Sequence, residues 1–283
     1  DAVIAVIGLS TLSEGEEGEA IASDFHSDRK DIALPATQLK YLRELRKTIK
    51  DTPLIVVVTG GSPVDLREVY QLSDALLFVW YPGEQGGDAL ANILFGEVSP
   101  SGKLPITFPM DENQLPDYRS YSMEGRTYKY STVTPMFPFG FGLGYSTIEL
   151  SNLKIKVLPA YSQKQKSALY LTPTDTLVVS FSVRNPGSVP AEEVIQLYQQ
   201  TKGAKFRTPR FDLKDFMRIR INPGEESQYS FHIPASRFSD FNMEGHRMLV
   251  PGTHKLFVST SLPIARSLEL GTTPWLEGEI TVK

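Results

Sequence analysis

"PLIVVVTG" at residues 53–60 decides the fold. A leucine and β-branched run without an interposed charge, ended by glycine, is the pattern of a parallel strand buried on both faces. "AVIAVIG" (2–8) repeats the pattern and "ALLFVWY" (75–81) gives a third instance. Between the first two lies "LPATQLKYLRELRKTIK" (34–50), where Leu39, Leu42, Leu45 and Ile49 recur at helical spacing behind Pro35 at the first turn. Further helices are expected over 64–72 and 86–96, the second stopped by Gly96. Strands alternating with helices imply a mainly parallel sheet with helices on its faces, a three-layer α/β sandwich.

The pattern changes after about residue 104. Pro, Gly and aromatic residues thicken through "SYSMEGRTYKYSTVTPMFPFGFGLGYS" (120–146), which has no clear period. So aromatic a segment reads as an ordered connector rather than a flexible linker. From 147 onward the signals are those of strands: 176–185, 193–200, 216–221, 226–233 and 253–261, separated by turn clusters such as Asn222-Pro223-Gly224. Short, regularly spaced strands of this kind indicate a β-sandwich. The expected organisation is an α/β domain at 1–110, a connector at 111–146 and a β-sandwich at 147–283.

The bulk numbers agree with two globular domains. The chain has 283 residues, 41% apolar and 22% charged. A net charge of −4 offers no basic stripe for neutralising phosphates, so nucleic acid is not an expected partner. No apolar run reaches the roughly 20 residues of a membrane span. Cysteine is absent, which excludes disulfides and thiolate metal sites. "DAVIAVIGLS" (1–10) opens directly on a buried-type strand with no leader ahead of it, and so reads as part of a longer chain.

Several standard sites are missing. Ser10 follows Gly8, but position 12 is Leu, so no nucleophile elbow forms. "GEVSPSGKL" (96–104) has the wrong glycine spacing for a phosphate loop, and the glycines of "FGFGLGYS" precede a β domain rather than a helix. His26, His232, His246 and His254 show no ligand spacing and are expected at the surface or in turns. Neither a metal nor a cofactor is expected.

Three features carry candidate chemistry, one of them the aromatic, glycine-rich connector (120–146), which serves as packing between domains or as a sugar platform. "SEGEEGEAIASDFHSDR" (13–29) crowds Glu14, Glu16, Glu17 and Glu19 just beyond the first strand, with Gly15 and Gly18 between them. Open α/β sheets bind ligands beyond the carboxyl ends of their strands, and crowding raises carboxylate pKa values toward those a general acid needs. The plain alternative is a solvated acidic loop. "WYPGEQGG" (80–87) also lies at a strand end. There Glu84 and Gln85 are candidate polar contacts to a ligand, while Pro82-Gly83 and Gly86-Gly87 serve equally as turn and helix start.

These stretches together resemble the C-terminal half of glycoside hydrolase family 3, the β-glucosidase and β-xylosidase family. "WYPGEQGGDALANILFGEVSPSGKLPITFP" (80–109) is similar to the family's most recognisable C-terminal block. "MFPFGFGLGYSTIELSNLKI" (136–155) resembles the block leading into its fibronectin type III-like domain, and "DRKDIALPATQ" (28–38) the segment after its catalytic acid. The resemblance implies a retaining, exo-acting β-glycosidase whose N-terminal (β/α)8 barrel holds the sugar and supplies an aspartate nucleophile. It also implies that the second carboxylate, the acid/base, comes from the acidic loop of the α/β domain. Glu16, in the Gly-Glu that precedes Asp28-Arg29, fits that role best, followed by Glu14 and then Glu17 and Glu19. Implied substrates are β-linked gluco- or xylo-oligosaccharides or aryl glycosides, and the implied partner is the barrel domain of the same parent chain. A periplasmic or secreted location is implied as well. Arg126, Tyr128 and Tyr130 look like the family's connector motif, either facing the barrel or bracing the sandwich. The competing reading is a non-catalytic carbohydrate-binding or scaffolding module. A hydrolase complete within this chain would need Glu84, Glu124 or another member of the cluster opposite Glu16.

Overall fold

The computed structural model describes residues 1–15, 29–159 and 170–282. They divide into two compact units. The first comprises Asp1–Phe95, Phe108–Tyr121 and Val133–Phe137; the second comprises Gly96–Thr107, Ser122–Thr132 and Pro138–Lys283.

The first unit is built on strands β1 (Val3–Gly8), β2 (Leu54–Thr59) and β3 (Ala75–Trp80), parallel and in the order β1-β2-β3. Val3 pairs with Leu54 and Ile55 with Ala75, so all three strands end at one edge. The helices are α1 (Thr11–Glu14), α2 (Ala36–Ile49), α3 (Arg67–Leu72) and α4 (Gly86–Leu94). β2 is buried on both faces, with Leu54, Val56, Val57 and Val58 at 1% exposure or less. β1 differs: Ala5 and Ile7 are buried, but Ile4 and Val6 are 48% and 62% exposed. The strand has a neighbour along one edge only, and among the described residues nothing covers its second face.

Local chemistry explains the helix ends. Pro35 serves as the N-cap of α2 rather than its first turn, and Leu42 is the one residue of that helix buried completely. The expected helix over 64–72 starts only at Arg67, because Val64 and Leu66 are buried in the approach and the Asp65 carboxylate accepts the Arg67 N–H at 3.0 Å. Gly96 lies just past the end of α4 at φ 78, the left-handed position that favours glycine.

An aromatic group backs the end of β3. Phe108, fully buried, meets Phe78 and Trp80 edge-on at 5.0 and 6.3 Å, and its backbone pairs with Phe137. Edge-to-face rings of this kind add to the stabilisation from burial alone.

In the second unit, the connector's short helix α5 (Thr127–Tyr130) precedes a β-sandwich. One sheet has the order β5-β13-β12-β7-β8, from β5 (Tyr170–Leu171), β13 (Leu276–Val282), β12 (Gly252–Ser259), β7 (Ala191–Lys202) and β8 (Asp212–Ile221). The other has the order β4-β6-β9, from β4 (Glu149–Leu158), β6 (Thr176–Arg184) and β9 (Glu226–Pro234). A hairpin of β10 (Ser239–Phe241) and β11 (Arg247–Leu249) and a short helix α6 (Ala265–Glu269) complete the unit. Val157, Phe181 and Phe231 from the smaller sheet share one core with Ile195, Leu256 and Ile280 from the larger. This is the alternating, inward-facing core of two stacked sheets.

His254 departs from the expectation of a surface or turn residue. It is fully buried on β12, where one ring nitrogen bonds the Gln199 amide and Nε2 lies 2.8 Å from the Val250 carbonyl. Burial is tolerated because both ring nitrogens find partners as a neutral tautomer. His232 and His246 are exposed, and His26 lies outside the described residues.

Candidate functional site

The acidic stretch begins where the three parallel strands end. Gly8 closes β1 at φ 131, and a side chain there would meet the Thr59 carbonyl oxygen at 2.1 Å, so only glycine fits. The Gln38 amide of α2 clasps the same residue, accepting the Gly8 N–H at 2.9 Å and donating to the Gly8 carbonyl at 2.8 Å. The chain crosses to β2 once more, with Leu9 N–H on the Thr59 carbonyl and Thr59 Oγ1 on the Leu9 carbonyl. It then makes the single turn α1. Ser10 and Ser13 fasten this turn, Ser10 N–H donating to Ser13 Oγ at 2.7 Å. Gly15 ends it in the left-handed conformation at φ 72.

That turn delivers Glu14 to the ends of the other two strands. Glu14 Oε1 accepts the Gly61 N–H, just beyond β2, at 3.2 Å. The Tyr81 hydroxyl, just beyond β3, hydrogen-bonds to the same carboxylate. Partial burial and this bond push the Tyr81 pKa up to about 12, so the phenol stays neutral and donates. Arg29 faces both: burial lowers its pKa, while the charges of Asp31 and Glu14 pull it back up. Arg29 also donates to the Ala33 carbonyl at 3.0 Å. Four polar groups from the ends of β1, β2 and β3 and from residue 29 thus converge at one sheet edge.

The approach requires special backbone on two strands. Trp80 adopts φ 55, a left-handed conformation rare for a bulky residue, and β3 slips register against β2 between Val58 and Thr59. A side chain at Gly61 would stand 3.0 Å from the Tyr81 ring and 3.3 Å from Glu14. Among the described residues, no group of three His, Asp or Glu side chains could hold a metal ion. No helix among them is long and apolar enough to cross a membrane.

Of the expected site residues, Glu14 is in this cluster. Glu16, Glu17 and Glu19 lie outside the described residues. Glu84 and Gln85 are exposed, with Gln85 at the N-cap of α4. Tyr81, Gly61 and Gln38 were not singled out as site residues in the sequence. Their signal was positional only, each lying at or facing the carboxyl end of a strand.

In the second unit, the connector aromatics brace the sandwich. Tyr128 stacks on Phe139 with centroids 4.1 Å apart, meets Tyr198 edge-on, and accepts the Leu213 N–H at 3.3 Å. The Arg207 guanidinium sits 4.9 Å over the Tyr130 ring. Lys103, in the stretch excluded as a phosphate loop, forms a buried ion pair with Glu193 at 2.6 Å.

The chain thus carries an α/β unit with polar groups gathered at its strand ends, followed in sequence by a β-sandwich unit. Comparison with known proteins narrows this. Residues 1–145 match the Glycosyl hydrolase family 3 C-terminal domain, and residues 193–262 match the Fibronectin type III-like domain. The chain belongs to glycoside hydrolase family 3. It is 33% identical to a beta-xylosidase of Formosa agariphila over 92% of its own length and 34% of that protein. It is 33% identical to a periplasmic beta-glucosidase of Salmonella typhimurium, covering 91% of this chain and 32% of the relative. Its fold matches the beta-glucosidase of Listeria innocua, solved in complex with glucose, at TM-score 0.77 and 26% identity, over all of this chain and 36% of that one. A β-glucosidase of Erythrobacter marinus matches at TM-score 0.79 and 28% identity, over all of this chain and 34% of that one. The chain spans about a third of the length of the curated relatives it matches.

Proposed function

We propose that this chain is the C-terminal part of a retaining, exo-acting β-glycosidase. It supplies the general acid/base glutamate to a site that an N-terminal (β/α)8 barrel completes with an aspartate nucleophile. The observation that carries the reading is the convergence of Glu14, Gly61, Tyr81 and Arg29 at the carboxyl edge of the parallel sheet, at both flanks of the acidic stretch. Glu14 itself is tied to the strand ends by two donors; we assign acid/base chemistry to Glu16, whose place in the Gly-Glu before Asp28-Arg29 is the one the family resemblance implies. Retaining hydrolysis places that carboxyl about 5–5.5 Å from the nucleophile; it protonates the leaving oxygen and then activates water. Substrates are β-linked gluco- or xylo-oligosaccharides or aryl glycosides, in keeping with relatives named β-glucosidase and β-xylosidase. We assign the parent to the periplasm or the exterior, as the Salmonella relative's name suggests.

The test is release of p-nitrophenol from the β-glucoside and the β-xyloside. The 283-residue chain alone should give no release above background, and the full-length parent should turn over at least one of the two. General acid catalysis contributes about 10²–10⁴-fold, so Glu16→Gln in the parent should lose that much on substrates with poor leaving groups. Clear turnover by the isolated chain would overturn the two-part site. Sugar binding by a parent without turnover would establish the non-catalytic module instead.

A further inference from the structure

We propose that the outward face of the smaller sheet of the β-sandwich is a docking surface for an acidic polysaccharide, one bearing uronate carboxylates, with Lys154 and Lys156 as its charged wall. Strand register fixes this face. Lys156, Val178 and His232 lie side by side across β4, β6 and β9, and Lys154, Ser180 and Ser230 form the adjoining row. The intervening Ile155, Val179 and Phe231 point the other way, against the core. Neighbouring strands are about 4.8 Å apart, so the lysines on β4 and His232 on β9 stand about 10 Å from each other.

The three strands do not stand equally high. On the central strand Val178 is 9% exposed and Ser182 1%, whereas Lys154, Lys156 and His232 are exposed. Short side chains thus floor a shallow trough along β6, walled by the lysines on one side and by Ser230 and His232 on the other. Ser230 Oγ lies 3.5 Å from His232 Nε2. One end of the trough closes where β4 shifts register between Ser151 and Lys154. There Asn152 takes φ 55 and donates to Ser182 Oγ at 3.2 Å.

Charge selects the occupant. The chain carries a net −4, yet Lys154 and Lys156 form no ion pair among the described residues. The acids this face carries among those residues, Glu149 and Glu226, flank Arg184, about 14 Å along β6 from Ser180. Glu149 is paired with that arginine at 3.3 Å. Two unneutralised ammonium groups on alternate residues, beside hydroxyl and imidazole groups, match a chain that repeats carboxylates and hydroxyls. Membership of a glycoside hydrolase family, rather than the acid/base reading, makes that chain a polysaccharide. An acidic polypeptide offers the charges without the hydroxyls.

The test is affinity electrophoresis of the 283-residue chain through native gels containing glucuronoxylan, with the same polymer after carboxyl reduction as the neutral comparison. Glucuronoxylan should retard the chain at low salt and lose its effect as salt rises, because exposed charges are screened beyond about 10 Å at 0.1 M. The carboxyl-reduced polymer should not retard it. An exposed ion pair contributes up to about 5-fold, so Lys154→Ala with Lys156→Ala should weaken binding by about 5–20-fold. Lys202→Ala with Lys205→Ala removes equal charge outside this sheet and should leave binding within about twofold. All four lysines are exposed, so both double variants should keep the parent's urea-unfolding midpoint. No retardation by glucuronoxylan, equal retardation by the reduced polymer, or equal weakening in the two double variants would overturn the proposal. Poly-glutamate competing as well as free glucuronoxylan would overturn it too, because the face would then accept any polyanion. Hydrolysis plays no part in this readout, so its failure and the failure of the acid/base reading are seen separately.

Discussion

The Lys103–Glu193 pair offers the sharpest test of how the second unit is held together. Lys103 Nζ lies 2.6 Å from Glu193 Oε1, with the side chains only 9% and 12% exposed. The amine also donates to the Gly142 carbonyl at 2.6 Å, and Glu193 accepts the Val194 N–H at 2.6 Å. Burial pushes the Lys103 pKa down and the Glu193 pKa up, and in each case the opposite charge resists the shift. Removing one partner leaves the other charged and unpaired in a low-dielectric setting, at a cost of about 3–5 kcal/mol. Replacing both with apolar groups of similar volume is often neutral or stabilising. Lys103→Met and Glu193→Met should therefore each cost about 3–5 kcal/mol, and the double variant should recover most of that loss. At about 2–4 °C per kcal/mol for a unit of this size, each single variant should melt about 6–20 °C lower. The chain has two tryptophans, and Trp275 packs in the second unit beside Tyr198, Phe211 and Phe257. Its fluorescence in a Trp80→Phe background reports unfolding of that unit. Single variants within about 1 kcal/mol of the parent would place the pair in water, where ion pairs contribute that little. A double variant as unstable as the sum of the singles would refute the reasoning as surely, because it would show no coupling between the two groups.

Two further outcomes are expected. Burial lowers the His254 pKa below its ordinary 6.5, with Lys214 adding repulsion and the Val250 carbonyl opposing. The unfolded chain therefore binds the extra proton more readily, so this stability is present above about pH 6.5 and is lost on acidification, by at most about 1.4 kcal/mol per pH unit. His254→Gln should flatten the slope of urea-unfolding free energy between pH 7 and pH 5, and an unchanged slope would contradict a neutral buried ring. Tyr128→Ala should destabilise the second unit by about 3–5 kcal/mol through loss of the stacked ring, whereas Tyr128→Phe should cost only about 0.5–1.5 kcal/mol for one hydrogen bond. Trp275 fluorescence in urea checks both, and equal losses would mean that the hydroxyl rather than the ring carries the contact.

Much of the fold was legible in the sequence because burial leaves a compositional trace. β2 is enclosed on both faces, and its unbroken Leu-Ile-Val run said so. β7 and β9 were visible through their alternation. β13 was not, because Glu277, Gly278 and Glu279 make its first half read as a polar turn. Gly278 is there because a Cβ would meet the Ile155 side chain at 2.5 Å, a constraint that exists only once the two sheets are stacked. The hairpin strands β10 and β11 are three residues each, too short for any period to register. His254 was misplaced for a similar reason, since nothing nearby in sequence announces the Gln199 amide 55 positions away.

The candidate site divides along the same line. The glutamate cluster could be read directly, because it is contiguous and follows a strand. Its supports could not, because Glu14, Gly61 and Tyr81 meet only where three parallel strands end at one edge. This arrangement bears on how the residues flanking the acidic stretch are held in geometry. Catalytic groups need placement within about 0.5 Å, and loops place them less well than helices or strands do. Here the flanks of the acidic stretch draw on rigid elements: Gly8 is clasped by Gln38, Glu14 is tied to the ends of β2 and β3, and Arg29 faces that tie. Glu14 is thereby ordered within this unit itself, so no binding energy is needed to order that flank. The left-handed Trp80 and the bare Gly61 belong to that tie: one precedes Tyr81 in the chain, and the other gives its N–H to Glu14.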